Sequence, residues 1–169
     1  TFNGVVVLTP RESVPEDEEK RIVFTDGSVE GQVGGAAAWR RGTELSHTIQ
    51  ISNPCSSTEC ELVGLIAGLS MAPEMLVTDS LTALHWIGDW GRKSLKETLA
   101  CQNRDMVRQF IAEANQLLRS NGPITLQKVK AHDEGAIAAG KLFSVGTNGA
   151  DGLAKQADTL GARWVMYCT

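Results

Sequence analysis

The chain has no Cys-x-x-Cys pair, and Cys55, Cys60, Cys101 and Cys168, its only cysteines, have no histidine companion at zinc-ligand spacing. A zinc cluster and a dithiol redox motif are thereby excluded, and reduced thiols fit an intracellular protein whose compartment the sequence does not specify. No apolar run approaches the roughly 20 residues of a membrane span, so no membrane partner is expected. Neither a secretory signal nor a transit peptide is visible, and a chain that opens on Thr1 instead of Met suggests a piece excised from something longer. Internal repeats and low-complexity tracts are absent too. Positive charge is scarce: 16 Lys and Arg face 20 Asp and Glu, for a net charge of −4. Such a balance argues at first against a nucleic-acid partner, because phosphate binding rests on Lys and Arg.

The charge deficit has a local origin. Glu16, Asp17, Glu18 and Glu19 form one acidic run, and four further acids belong to the candidate site described below. Setting those eight aside leaves 12 acidic against 16 basic residues. Arg92, Lys93, Lys96, Arg104, Arg108, Lys128 and Lys130 can then supply a phosphate-tracking surface, although charges at such spacings also suit a plain solvated face. A length of 169 residues and 42% hydrophobic content fit a single domain with a sizeable core.

Residues 1–20 carry Val5-Val6-Val7-Leu8, then Pro10, Pro15 and the acidic run, and read as a linker or an extra strand ahead of a domain at 21–169. Ile22-Val23-Phe24 is a buried-strand run, Asp26-Gly27 a turn signal, and Gly34-Gly35-Ala36-Ala37-Ala38-Trp39 a second strand. Thr48-Ile49-Gln50-Ile51-Ser52 alternates as a third strand of an antiparallel meander. Ser56, Ser57 and Thr58 can open a helix whose stripe is Leu62, Leu65, Ile66 and Leu69, with Pro73 ending it. Met75-Leu76-Val77-Thr78 reads as a fourth strand, and Asp79 or Ser80 can cap a helix with Leu81, Leu84, Ile87 and Trp90. A helix over 103–120, a fifth strand over 124–130 and a last helix over about 150–161 complete an α/β domain: a five-stranded mixed sheet, three strands antiparallel and two parallel, flanked by helices.

Asp26, Glu61, Asp79 and Asp151 each sit near an end of one of these elements, where a carboxylate can be aimed into a shared site. Gathered carboxylates repel one another, so they need cations. Hard oxygen ligands acting with substrate phosphates suit Mg²⁺, which points to metal-dependent hydrolysis of phosphodiesters. Each acid also has a bland role. Asp26 before Gly27 can be a turn residue, Thr58-x-x-Glu61 a capping box, Asp79 a helix cap, and Asp151 an acid favoured by a helix dipole. Glu59 rivals Glu61, but two residues turn a helix by about 200°, so both cannot point the same way.

The order of strings resembles the ribonuclease H family, found as cellular enzymes and as domains of retroelement reverse transcriptases. The resemblance runs over about 21–160. It is carried by Thr25-Asp26-Gly27-Ser28 with Gly34-Gly35, by Glu61-Leu62, by Thr78-Asp79-Ser80, by Val129-Lys130-Ala131-His132, and by Asn148-Gly149-Ala150-Asp151 with Leu153-Ala154 as a helix start. It selects Glu61 over Glu59 and implies an endonuclease that cuts the RNA strand of RNA–DNA hybrids, leaving a 5′-phosphate and a 3′-hydroxyl. Two Mg²⁺ ions, which Mn²⁺ can replace, would be held by Asp26, Glu61, Asp79 and Asp151, with His132 shuttling a proton or aiding product release. Gly27, Ser28, Ser57, Thr58 and Asn148 would contact the nucleic acid, and the same resemblance implies a polymerase domain covalently linked in the parent protein. Trp86 and Trp90, followed by Arg92, Lys93 and Lys96, fall where many members carry a basic handle, although core packing is the favoured reading of the two Trp. The alternative is an inactive module of the same fold that binds nucleic acid or protein. Three features depart from the family: a longer stretch between His132 and Asp151, Glu59 where a basic or neutral residue is common, and Gly149 in place of the usual glutamate.

Overall fold

The computed structural model describes residues 5–8, 21–40, 46–130, 134–138, 142–160 and 165–166. In chain order the elements are β1 (Val5–Leu8), β2 (Ile22–Glu30), β3 (Val33–Trp39), β4 (Ser46–Ser52), α1 (Ser57–Leu69), β5 (Met75–Thr78) and α2 (Leu81–Asp89). A 3-10 turn at Trp90–Arg92 leads to α3 (Leu95–Ala100), α4 (Arg104–Asn121), β6 (Ile124–Lys128), α5 (Glu134–Ala138), α6 (Leu142–Leu160) and β7 (Val165–Met166).

The sheet order is β1-β6-β5-β2-β3-β4-β7. Its five central strands are the expected mixed sheet: β2, β3 and β4 form the antiparallel meander, while β5 lies parallel to both β2 and β6. Val5–Leu8 takes the strand form and pairs in parallel with β6, so the sheet extends by one strand at that edge. At the other edge Val165–Met166 runs parallel to β4.

Strand β2 is buried on both faces, as its apolar run requires. Val23 joins the larger core with Leu62, Leu65, Ile66, Phe110 and Leu126, between the sheet and helices α1, α2 and α4. Ile22 and Phe24 alternate to the opposite face, where they meet Met75, Val77, Val129 and Ala150 under α6. Trp86 and Trp90 pack edge to face at 6.0 Å and lean on the larger core, with the Lys93 ammonium 4.5 Å from the Trp86 ring centre.

Two expectations are corrected. Asp26-Gly27 is not a turn: both residues lie inside β2, opposite Ala37 and Ala36. The register pairs Glu30 with Val33, so Gly31 and Gln32 make the two-residue turn, and Gly31 takes the left-handed conformation at φ 63°. Seven consecutive cross-strand pairs outweigh one local dipeptide signal. The last helix does not begin near 150 but at Leu142, which places Asp151 well inside it. Glycines at 146, 149 and 152 hide this helix from propensity reasoning, yet two of them are sites of close approach. A Cβ on Gly146 would lie 2.2 Å from the Phe24 ring, and one on Gly149 2.3 Å from the Trp39 ring. Gly149 thus stands where a glutamate side chain would collide with Trp39.

Gly152, on the same helix, has open space where its Cβ would be. Gly152→Ala should therefore stabilise the fold by about 0.5–1 kcal/mol through helix propensity. Gly146→Ala should do the opposite and cost about 1–3 kcal/mol by overpacking against Phe24. Urea-unfolding midpoints measure both, and similar gains for the two would refute close packing at Gly146.

Candidate metal centre

The site is built from backbone constraints outward. Strands β2 and β5 pair in parallel with Phe24 opposite Val77; two residues further on, Asp26 lies in the middle of β2 and Asp79 directly follows Thr78, the last residue of β5. Thr25 Oγ1 donates to the Val77 carbonyl at 3.0 Å and pins the strands just before the acids. The cap of α2 is Ser80, whose hydroxyl accepts from the Ala83 amide at 3.2 Å, so Asp79 is not needed for capping.

Helix α1 resolves the rivalry between its two glutamates. Ser56 is its N-cap and accepts from the Glu59 amide at 3.2 Å, while the Glu59 carboxylate accepts from the Cys55 amide at 2.6 Å. The capping carboxylate is thus Glu59, two residues before the Glu61 of the Thr58-x-x-Glu61 box read from the sequence. Being 1% exposed, Glu59 also adds no charge to a surface that a nucleic acid could touch. Glu61, on the opposite side of the helix, turns toward β2. The helix rests directly on the strand: a Cβ on Gly27 would lie 2.5 Å from the Glu61 amide nitrogen, and one on Gly64 2.9 Å from the Asp26 carbonyl oxygen.

One carboxylate oxygen from each of Asp26, Glu61 and Asp79 lies within 4.8 Å of the other two. Asp151 reaches this group from α6 by a side-chain hydrogen bond with Asp26, and its Oδ2 is paired with Lys155 Nζ at 2.9 Å. Three of the four acids therefore form one compact group, and the fourth touches it through Asp26. Burial raises the Asp26 carboxyl to about 10, aided by the charges of Glu61 and Asp79 and the hydrogen bond to Asp151, with the Gly27 amide pulling the other way. Burial and the Asp79 charge likewise raise Glu61 to about 8, against hydrogen bonds from Asp26 and the Gly27 amide.

A divalent cation fits this donor set. Glu61 Oε2 is buried without a hydrogen-bond partner, a costly state for a carboxyl oxygen. A hard cation would satisfy that atom and offset the mutual repulsion of the acids.

The other residues singled out from the sequence are spread over three elements. Gly27 and Ser28 are half-buried on β2, beside the acids. Ser57 is exposed and Thr58 half-buried in the first turn of α1, and Asn148 is exposed on α6. His132 lies outside the described residues. Lys155 is a further residue at the site, and its i,i+4 spacing from Asp151 on a helix is the sequence signal that marks it. No helix among the described residues is long and apolar enough to cross a membrane.

The profile of the RNase H family matches residues 18–159. Several solved structures are similar to this chain. The protease-reverse transcriptase of prototype foamy virus matches with a TM-score of 0.61 at 16% identity, over 87% of this chain and 22% of that one. The RNase H domain of the same virus gives a TM-score of 0.57 at 16% identity, over 87% of this chain and 96% of that one. The N-terminal RNase H domain of a Mycobacterium tuberculosis protein, solved as a fusion with maltose binding protein, gives 0.52 at 19% identity, over 81% and 97%. At these identities the likeness is one of fold. This chain spans about a fifth, 22%, of the viral protease-reverse transcriptase. No curated protein matches it significantly.

The raised carboxyls fix how stability depends on pH. Asp26 and Glu61 bind protons more tightly folded than unfolded, so their contribution is fully present below about pH 4 and is lost as pH rises through about 8 and 10. In EDTA the melting temperature should fall between about pH 5 and pH 9, and the gain on adding Mg²⁺ or Mn²⁺ should grow over the same span. Differential scanning calorimetry checks this. A gain that is flat or shrinks with pH contradicts cation binding at these acids.

Proposed function

Because this chain belongs to the RNase H family, we propose that it hydrolyses the RNA strand of RNA–DNA hybrids endonucleolytically, at a site where Asp26, Glu61, Asp79 and Asp151 hold divalent cations. The observation that carries this reading is the convergence of Asp26, Glu61 and Asp79 within 4.8 Å, with Glu61 Oε2 buried and unpartnered. Two Mg²⁺ ions, or Mn²⁺ in their place, would supply Lewis-acid stabilisation of the charge that develops on the scissile phosphodiester and an attacking water of lowered pKa.

The chain's own residues do the positioning. Asp26 stands on β2 and Asp79 directly after β5, its parallel neighbour, so strand pairing holds their separation close to fixed during reaction. Glu61 is held at a fixed depth by the contact of α1 with Gly27. Asp151 enters from α6 and is steadied through Asp26 and Lys155. Selection of RNA requires contacts to the 2′-hydroxyl in the minor groove of a hybrid. Main-chain groups of Gly27 and Ser28, with Ser57 and Thr58 on the first turn of α1, make those contacts in this reading, and Asn148 meets the nucleic acid from α6. His132 takes its role, moving a proton or easing product release, from the motif alone.

Residues 21–169 form the catalytic domain in this reading, preceded by a segment at 1–20 whose strand Val5–Leu8 joins the same sheet. The parent protein is read as a larger one such as a reverse transcriptase. The foamy viral protease-reverse transcriptase, whose structure in complex with an RNA/DNA hybrid covers 89% of this chain at 17% identity, supports that reading by analogy.

With Mg²⁺ or Mn²⁺ the chain should cleave the labelled RNA of a hybrid and leave duplex DNA intact. EDTA should abolish cleavage, and Asp26→Asn or Asp79→Asn should lower it by at least about a hundredfold. Variants that cut as fast as the parent chain, at equal folded content by circular dichroism, would end this reading.

A further inference from the structure

We propose that Lys155 is a positioning residue of this site: its ammonium is a resident countercharge on Asp151, which a divalent cation displaces on binding. The inference rests on the metal-site reading given above and adds to it a residue outside the carboxylate set.

Helix α6 places residue 155 one turn beyond residue 151 on the same face. Lys155 Nζ lies 2.9 Å from Asp151 Oδ2, with the lysine side chain 60% exposed and the aspartate 15% exposed. The ammonium thus reaches in from solvent while the acid it holds sits near the protein interior. On its inner side Asp151 is hydrogen-bonded to Asp26, so it joins the buried acids to a solvent-side cation. The compact group of acids within 4.8 Å contains Asp26, Glu61 and Asp79, without Asp151. Together these contacts describe a fourth carboxylate held at the margin of the group, one oxygen committed to a positive charge.

Two electrostatic consequences follow with opposite signs. Without a divalent cation, the ammonium lowers the repulsion that Asp151 adds to the acids. When a cation arrives, the same positive charge opposes it. A lysine suits such exchange, because its ammonium is a single charge on a flexible stem and swings into water at little cost. An arginine would grip the carboxylate with a planar fork and release it less readily. An ordinary exposed i,i+4 pair contributes little to stability and has no reason to govern cation affinity.

The test is Mn²⁺ binding by isothermal titration calorimetry, on the full chain and on Lys155→Met, Lys155→Gln, Lys155→Arg and Asp26→Asn. Both neutral substitutions should tighten Mn²⁺ binding by about three- to tenfold, since a repulsive unit charge a few ångströms from the ion is removed in a screened, partly exposed setting. Lys155→Arg should bind as the parent does or more weakly. Thermal melts at pH 8 should show both neutral variants less stable than the parent in EDTA, with the gap closing in saturating Mn²⁺. Unchanged or weaker Mn²⁺ binding by both neutral variants, with the parent binding normally and Asp26→Asn losing it, would overturn the countercharge and leave the metal site standing. Absence of Mn²⁺ binding by the parent would overturn both.

Discussion

The burial of Asp26 beside Glu61 and Asp79 is the constraint to which the rest of this structure answers. Taking one carboxylate out of water is unfavourable, and placing two more within reach compounds it. Burial and repulsion together keep Asp26 and Glu61 protonated to unusually high pH. A fold selected for stability alone would replace such a group with apolar side chains. Their presence within one strand, just past the end of its neighbour and on one helix therefore argues for a binding role, and the geometry that enforces it is mostly main chain. Asp26 and Asp79 are separated by strand register, and Glu61 is held by backbone contact of α1 with Gly27.

The opposite face of the sheet supports the same centre by different means. Helix α6 lies close against Phe24 and Trp39 because Gly146 and Gly149 present no side chain to their rings, which stand 6.3 Å apart. That close approach sets how far Asp151 extends toward Asp26. It also gives Gly149 a packing reason: the space a glutamate would take at this position is filled by Trp39. Departure from a family pattern at 149 and the identity of residue 39 are thus one feature, not two.

Much of this was legible in the sequence. The apolar stripe of α1, the run Ile22-Val23-Phe24 and the alternation in β4 are periodic signals, and each marked a real element. The candidate acids were legible as ordered strings, and Asp26, Glu61 and Asp79 do converge. What failed was local chemistry judged without its partner. Asp26-Gly27 carries a turn signal in isolation, but β3 offers it a full ladder. The start of α6 was hidden because glycine disfavours helices on average, whereas here it permits contact with aromatic rings. The helix start at Ser56 contains two glutamates at plausible spacing, and only the hydrogen bond from Cys55 shows which one caps. Short α3, with Leu95 and Leu99 exposed, has too little buried stripe to announce itself.

Charge gives the last step. A formal net charge of −4 assigns every carboxylate a full negative charge at pH 7. Asp26 and Glu61, raised to about 10 and about 8, are mostly protonated at that pH in the cation-free protein, which brings the net charge close to −2. Two divalent cations taking the place of those protons would set +4 against four carboxylates, bringing the acids of the site from about −2 to about zero as a phosphate approaches. Glu59 contributes nothing to the outer surface, since it is buried in the cap of α1. An acidic composition is therefore compatible with a polyanionic substrate here, because the acids that dominate the count at the site are those that cations and protons neutralise.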